Sequence, residues 1–440
     1  MSEVSGTEYS GPAAWRRRVA TIAGGVLLGL AALAFARLAD GAQELFERIA
    51  HPHLWLIAGA VPFLFMLVSW VTMRWFAGSR GSGIPQVIAL VSSPEQAGTS
   101  PYLKLPVVVA KTVLTSVMLL AGAAVGREGP TVQLAAALNV AVHRWLRVPI
   151  TSGVVIAGGA AGVAAAFNTP LAGVAFAIEE LAAAYEQRMA ALVMMAVMIA
   201  GLVSLGIAGD YVYLGAVHSP LPFRVALVVT PIAGIAGGVC GGLFSRAMLF
   251  ALKPGQSLLH RLRSRPVLFA GACGAIVAAM GVLSHGSSWG TGYATTRELV
   301  EGVPQAWWMI VPRAIATIAT AVSGAPGGIF APSLSVGAEL GNVLAHLLPG
   351  TPLGPVVLLG MIAYFTGVVR APLTAVVIIA EATGSHQLVI PLFASALIAD
   401  AASGFVAPEK LYHGLSLGFV RELKEMRAAE EVEREESTPA

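Results

Sequence analysis

The sequence predicts an all-α, polytopic membrane protein built from two related halves. Three observations carry that expectation. The 440-residue chain is 56% hydrophobic and only 12% charged, whereas about a quarter of a soluble domain is charged. Apolar runs recur along it, at roughly 19–36, 54–73, 105–125, 187–208, 224–251, 267–283, 307–323, 353–368 and 388–407, and a span needs about 20 such residues. Finally, a pattern returns at a fixed distance. Pro130 and Pro332 stand 202 positions apart, as do Pro170 and Pro372, Glu179 and Glu381, and the lone cations Lys111 and Arg313. A transmembrane β-barrel would alternate in segments of about ten residues, and these runs are continuous.

In chain order, residues 1–15 form a polar tail, expected to be disordered and cytosolic. Arg16, Arg17 and Arg18 precede the first span and orient the N-terminus toward the cytoplasm. "AFA" at 34–36 resembles a signal cleavage site, but a polytopic chain needs none and the run reads as a span. The repeat divides the chain into halves at 16–215 and 219–418. Shorter apolar stretches, 152–166 and 171–178, are broken by Gly and Pro. Residues 419–440 form a charged cytosolic tail, with seven glutamates and four basic residues from Arg421, expected as a solvated helix or tail too short for a further domain. Cys240 and Cys273 lie in apolar runs without a CxxC pattern and read as buried thiols. The net charge of +3 gives no sign of a nucleic-acid partner. The nine histidines lack ligand spacing, so neither a metal site nor a cofactor is expected. Without HExxH, GxSxG or paired histidines, an intramembrane enzyme is disfavoured.

Three segments share one form: "GSGIP" (81–85), "GREGP" (126–130) and "GIFAP" (328–332). Proline suits the first turn of a helix, and glycine lets backbone approach a ligand closely. Each motif therefore reads as a helix N-terminus, where free N–H groups and the positive dipole end attract anions. Several such ends converging would bind an anion without a full cation to trap it. Ordinary turns between spans are the alternative for any one motif alone. Glu128, inside the second motif, is the only acidic residue between 100 and 178, and an ionisable group at membrane depth is functional by default. Glu179 and Glu180 differ in kind. Glu179 recurs as Glu381 and reads as architectural, such as holding a helix end. Glu180 faces Ala382 in the repeat, so it is the better candidate for a single function.

These motifs, in this order, resemble the signatures of the CLC family of chloride channels and proton/chloride antiporters. The resemblance covers about residues 17–418 and includes "AAAFNTPLAG" (164–173), "SGAPGGIFAPSL" (323–334), "RAPLTAVVIIAE" (370–381) and "KLYHG" (410–414). It implies a homodimer with one pore per subunit. It also implies two inverted-topology halves whose broken and short helices meet at a midplane anion site. By the same likeness, the hydroxyls of Ser82 and Tyr412 and the N–H groups of Ile329 and Phe330 hold the central chloride. Backbone around Arg127, Glu128 and Gly129, with Phe330 and Ala331, forms an outer site. Glu128 becomes the gating glutamate, which occupies that site when ionised and leaves it when protonated. Glu180 becomes the inner proton-transfer glutamate. Lys111 adds positive potential, and Phe167 and Phe176 line the outer gate and proton route. Read alone, Ser82 would be a turn serine and Tyr412 an interfacial anchor.

The implied function is exchange of chloride for protons across a prokaryotic inner membrane. A passive chloride channel is the first alternative, kept open by Gln86 and Ile88 where antiporters of the family often carry acids. Fluoride export is a lesser one, because the first and second motifs are intact. Nitrate selectivity goes with proline at the Ser82 position. The 22 residues after Gly418 are too few for paired cystathionine-synthase-type regulatory domains.

Overall fold

Backbone inside lipid must satisfy its hydrogen bonds internally, and this chain does so with helices. The computed structural model describes residues 12–181, 187–209, 214–252 and 264–437. Residues 1–11 of the expected polar tail lie outside the described residues. The α-helices run, in order, α1 (Pro12–Ala50), α2 (Leu54–Trp75), α3 (Ile84–Val91), α4 (Pro94–Ala97), α5 (Leu105–Leu120), α6 (Glu128–Trp145), α7 (Ser152–Phe167), α8 (Pro170–Phe176) and α9 (Gln187–Ala208). They continue as α10 (Phe223–Leu252), α11 (Pro266–Leu283), α12 (Tyr293–Val300), α13 (Ile310–Val322), α14 (Phe330–Leu347), α15 (Leu353–Val369), α16 (Pro372–Thr383), α17 (Val389–Val406) and α18 (Leu411–Ser437). Among the described residues there is no β-strand, only one isolated bridge between Gly126 and Gly328.

Six helices, α1, α2, α9, α10, α11 and α17, are long and apolar enough to cross a membrane. Two runs expected to span give shorter helices, and a third stays short of a full span. Residues 105–125 give the 16-residue α5, 307–323 the 13-residue α13, and 353–368 the 17-residue α15. α5 ends before the turn at Gly122, whose φ is +72°, and α13 begins only after a 3₁₀ turn, Trp307–Met309. α15 is buried from Gly354 to Val369, so protein rather than bilayer thickness sets its span.

α7 and α15 form the centre of the molecule, with all but the first residue of each buried. Small residues make this possible, as in other membrane helix packings. A methyl group on Gly360 of α15 would lie 2.4 Å from the backbone nitrogen of Gly341 in α14. At the perimeter, Trp55 of α2 and Phe405 of α17 are 76% and 90% exposed, which suits a lipid-facing surface.

α6, α8 and α9 begin 202 positions before α14, α16 and α17. α8 passes into a π-helical turn, Ala177–Leu181, that carries Glu179 and Glu180. The Glu179 carboxylate accepts hydrogen bonds from the N–H groups of Leu373 (3.1 Å) and Thr374 (2.8 Å) and from the Thr374 hydroxyl (2.8 Å). In return, the Glu381 carboxylate accepts from the N–H groups of Leu171 (3.3 Å) and Ala172 (3.0 Å). Each glutamate, at the C-terminal end of its own helix, closes the N-terminus of the other. The two helices are therefore antiparallel and related as a two-fold axis would relate them. The architectural reading of Glu179 holds, and the pair fits inverted halves.

The last helix, α18, continues without interruption through Gly418 into the charged residues. Its Glu422 carboxylate accepts hydrogen bonds from Arg80 and from the Tyr102 hydroxyl (2.6 Å). Phe419 packs edge-on against Tyr102 at 5.3 Å and under the Arg80 guanidinium at 5.1 Å. This clamp fixes the end of the molecule that presents Tyr412.

Glu381→Ala removes the cap from α8. A lost cap costs about 0.5–2 kcal/mol, so the variant is expected to melt at a lower temperature in detergent, read by tryptophan fluorescence. Unchanged melting would mean that water closes the helix end equally well.

Candidate anion site

Each Gly-Pro motif does start a helix. α3 follows Gly83, α6 follows Arg127 and α14 follows Ile329. The three starts are tied to one another by backbone. Gly126 N–H donates to Gly328 O at 2.8 Å, Gly328 N–H to Gly126 O at 2.7 Å, and Gly327 N–H to Gly81 O at 3.2 Å. Glycine is required where these segments touch. A methyl group on Gly129 would lie 2.3 Å from Ser82 Oγ, and one on Gly83, where φ is +110°, would lie 2.6 Å from Gly129 O. Three positive dipole ends therefore meet in one place.

Ser82, Arg127, Glu128, Gly129, Ile329, Phe330, Ala331 and Tyr412 gather around this junction. Tyr412, in the first turn of α18, is fully buried, and its ring lies 5.8 Å from that of Phe330. Its side chain approaches Ser82 and lies within electrostatic reach of both Glu128 and Glu180. Among the described residues, neither the Tyr412 nor the Ser82 hydroxyl has a partner in hydrogen-bond geometry. Two buried hydroxyls left open beside helix N-termini are what an anion of neutral-donor coordination needs.

Glu128 is fully buried. Its Oε2 accepts from the N–H of Ala331 at 3.4 Å, at the start of α14. Its Oε1 accepts a hydrogen bond from the Tyr293 hydroxyl. The carboxylate thus sits where an anion would sit. The neighbouring Arg127 is directed away, toward Asp40 Oδ1 (2.5 Å) and Ala36 O (2.9 Å) of α1.

The supporting residues also find places. Phe167 and Phe176 both lie against the Phe330 ring, each at 6.2 Å, and Phe365 closes on it at 4.9 Å. Lys111 Nζ donates to Gln133 Oε1 at 2.6 Å, and Gln133 Nε2 donates to Tyr102 O at 2.7 Å and Gly78 O at 3.2 Å. Lys111 thus meets an amide rather than a carboxylate. Gln86, singled out in the sequence as a departure from the resemblance, is buried and donates to Arg80 O at 2.7 Å. Glu180 is buried on the far side of Tyr412, with His413 Nδ1 3.5 Å from its Oε1.

Tyr293 was not singled out in the sequence, although a signal exists. "GTGY" at 290–293 matches "GSGI" at 81–84. The glycines agree in conformation, with φ of +65° and +110° at Gly81 and Gly83 and +71° and +81° at Gly290 and Gly292. This pair is separated by 209 positions rather than 202, so a search at one fixed offset passes over it. Gln133 and His413 carry no comparable signal, because their roles depend on which side chains the fold brings to them.

A model of the voltage gated chloride channel family matches residues 64–404. The chain belongs to that family. The H(+)/Cl(-) exchange transporter ClcA of Yersinia pseudotuberculosis is 29% identical over 434 residues, covering 92% of this chain and 88% of that protein. The ClcA exchange transporter of Salmonella typhimurium is 29% identical over 458 residues, covering 94% and 90%. Among solved structures, a slow cyanobacterial Cl-/H+ antiporter superposes with a TM-score of 0.78 at 22% identity, covering 92% of this chain and 98% of that one. A CLC-type fluoride/proton antiporter gives 0.77 at 22% identity, covering 94% and 99%. The expected fold class, an all-α polytopic CLC fold, is therefore correct, and the protein is a multi-pass membrane protein.

Gly129→Ala would drive a methyl group into Ser82 and separate α3 from α6. It is expected to abolish chloride binding in a calorimetric titration. Gly59→Ala, where a methyl group meets nothing within 4 Å, should bind as the wild type does. Equal binding by both variants would remove this junction from the anion site.

Proposed function

We propose that this protein exchanges chloride for protons as a secondary active transporter. It would do so in a prokaryotic inner membrane, as a homodimer, with both termini in the cytoplasm. The observation that carries the reading is the Glu128 carboxylate lying at the N-terminus of α14. A carboxylate and a chloride ion compete there for the same positive backbone. The names of the 29%-identical relatives, H(+)/Cl(-) exchange transporters, support the same choice of substrates.

In this reading, Ser82 and Tyr412 donate hydroxyls to the central chloride, and the Ile329 and Phe330 N–H groups complete its shell. Neutral donors replace the ion's water without trapping it. The outer site uses backbone at Arg127, Gly129, Phe330 and Ala331. Ionised Glu128 fills that outer site. Once protonated, it loses its attraction to the helix ends and swings out, and chloride takes its place. Glu180, buried beyond Tyr412, passes protons to and from the inner side. Lys111 deepens the positive potential, and Phe167 and Phe176 keep bulk water from the route between the two glutamates. The residue that differs from many antiporters, Gln86, faces Arg80 rather than Lys111 and leaves the anion ligands untouched.

Purified protein in liposomes under a chloride gradient, with no pH gradient, should move protons uphill. Glu180→Gln should abolish the proton movement and leave chloride flux. Chloride flux without proton movement in the wild type would make the protein a passive channel. Tyr293→Phe removes one of the donors that hold Glu128 in the outer site. A hydrogen bond to a charged group contributes about 1.5–3 kcal/mol, so chloride should bind on the order of tenfold more tightly in calorimetry. Weaker or unchanged binding would show that Tyr293 does not hold the carboxylate against chloride.

A further inference from the structure

Glu180 presents a problem of access. Its side chain is wholly buried, and among the described residues neither carboxylate oxygen has a partner in hydrogen-bond geometry. A carboxylate held for stability would be paired at hydrogen-bond distance, because a buried unsatisfied acceptor costs about 1–3 kcal/mol. Protons must still reach it from water.

One side chain spans that gap. His413 is 48% exposed, while its Nδ1 lies 3.5 Å from Glu180 Oε1. It follows Tyr412 in the first turn of α18, and successive helical residues point about 100° apart. Tyr412 turns inward and His413 stands at the water's edge. Among the described residues, three other titratable groups face Glu180: Glu179 from the same π turn, Lys410 from the segment before α18, and Tyr412 itself. The Glu179 carboxylate is committed to the start of α16 through three hydrogen bonds. Imidazole is the one side-chain type whose charge ordinarily changes between about pH 5 and 8.

We propose that His413 is the proton relay between cytoplasmic water and Glu180. The inference rests on the proton-transfer role assigned to Glu180 above. The imidazolium gives its Nδ1 proton to the Glu180 carboxylate. An N–H bond breaks, an O–H bond forms, and a neutral ring remains with its proton on Nε2. A hydronium ion then returns a proton to Nδ1 and leaves as water. Protons travelling toward the cytoplasm take the same steps in reverse. Direct transfer needs about 2.6–3.2 Å, or one bridging water. A small rotation of the half-exposed ring, or one water, closes the 3.5 Å separation.

The test is the liposome assay with proton and chloride fluxes recorded together. His413→Gln keeps a polar side chain but no exchangeable charge. Its proton flux is expected to fall on the order of tenfold at neutral pH, with chloride flux persisting, so more chloride moves per proton. The pH profile of its proton flux should differ in shape from that of the wild type. His413→Ala leaves room for a free ring, and imidazole at equal concentration on both faces should restore proton flux. Wild-type proton flux and pH profile in His413→Gln would overturn the relay. So would a loss in His413→Ala that imidazole does not repair. If His413→Ala does not fold, the flux and pH profile of His413→Gln decide alone. A wild-type protein that moves no protons fails at the exchange reading instead, so the two failures are distinguishable.

Discussion

Three helix N-termini held head to head govern this structure. Each carries roughly half a positive charge, and backbone hydrogen bonds among Gly81, Gly126, Gly327 and Gly328 keep them together. Left alone, these ends would repel one another. Negative charge between them resolves the conflict, and the chain supplies its own in Glu128. The need for an anion is therefore a property of the fold before it is a property of transport. The glycines follow from the same demand, because side chains at Gly83 or Gly129 would push the ends apart.

Four glutamates show how placement decides what one side chain does. Glu128 lies among helix ends that a halide can also satisfy, so its hold on them is contested. Glu179 and Glu381 each close a helix for which no competitor is built, and they act as fixtures. Glu180, adjacent to Glu179 in the π turn, is buried with His413 Nδ1 3.5 Å away and, among the described residues, no donor in hydrogen-bond geometry. The π turn matters here, since it sends neighbouring residues to different surroundings, one toward α16 and one toward Tyr412.

Much of this was legible in the sequence. The helix starts at Ile84, Glu128 and Phe330 followed from Gly and Pro chemistry, and the structural role of Glu179 followed from its recurrence as Glu381. What was not legible depends on contacts between distant segments. The amide of Gln133 answers Lys111, and no local pattern marks it. Tyr293 was hidden because its motif lies at a different offset from the others. Helix lengths were overestimated at 105–125, where apolar composition continues past Gly122, and at 307–323, whose first three residues form a 3₁₀ turn. The boundary drawn at residue 418 falls within one continuous helix, because α18 serves both the site through Tyr412 and the surface through Glu422.

The reciprocal caps have a consequence for synthesis. Glu381, which closes α8, is made 210 residues after Leu171. At about 5–20 residues per second, the ribosome needs roughly 10–40 s to supply it. During that interval the first half sits in the bilayer with an open helix end, and Glu179 waits for a helix not yet made. Neither half is finished when it emerges. Assembly is one event that waits for the second half, and a chain that stalls between them leaves a first half with nothing to complete it.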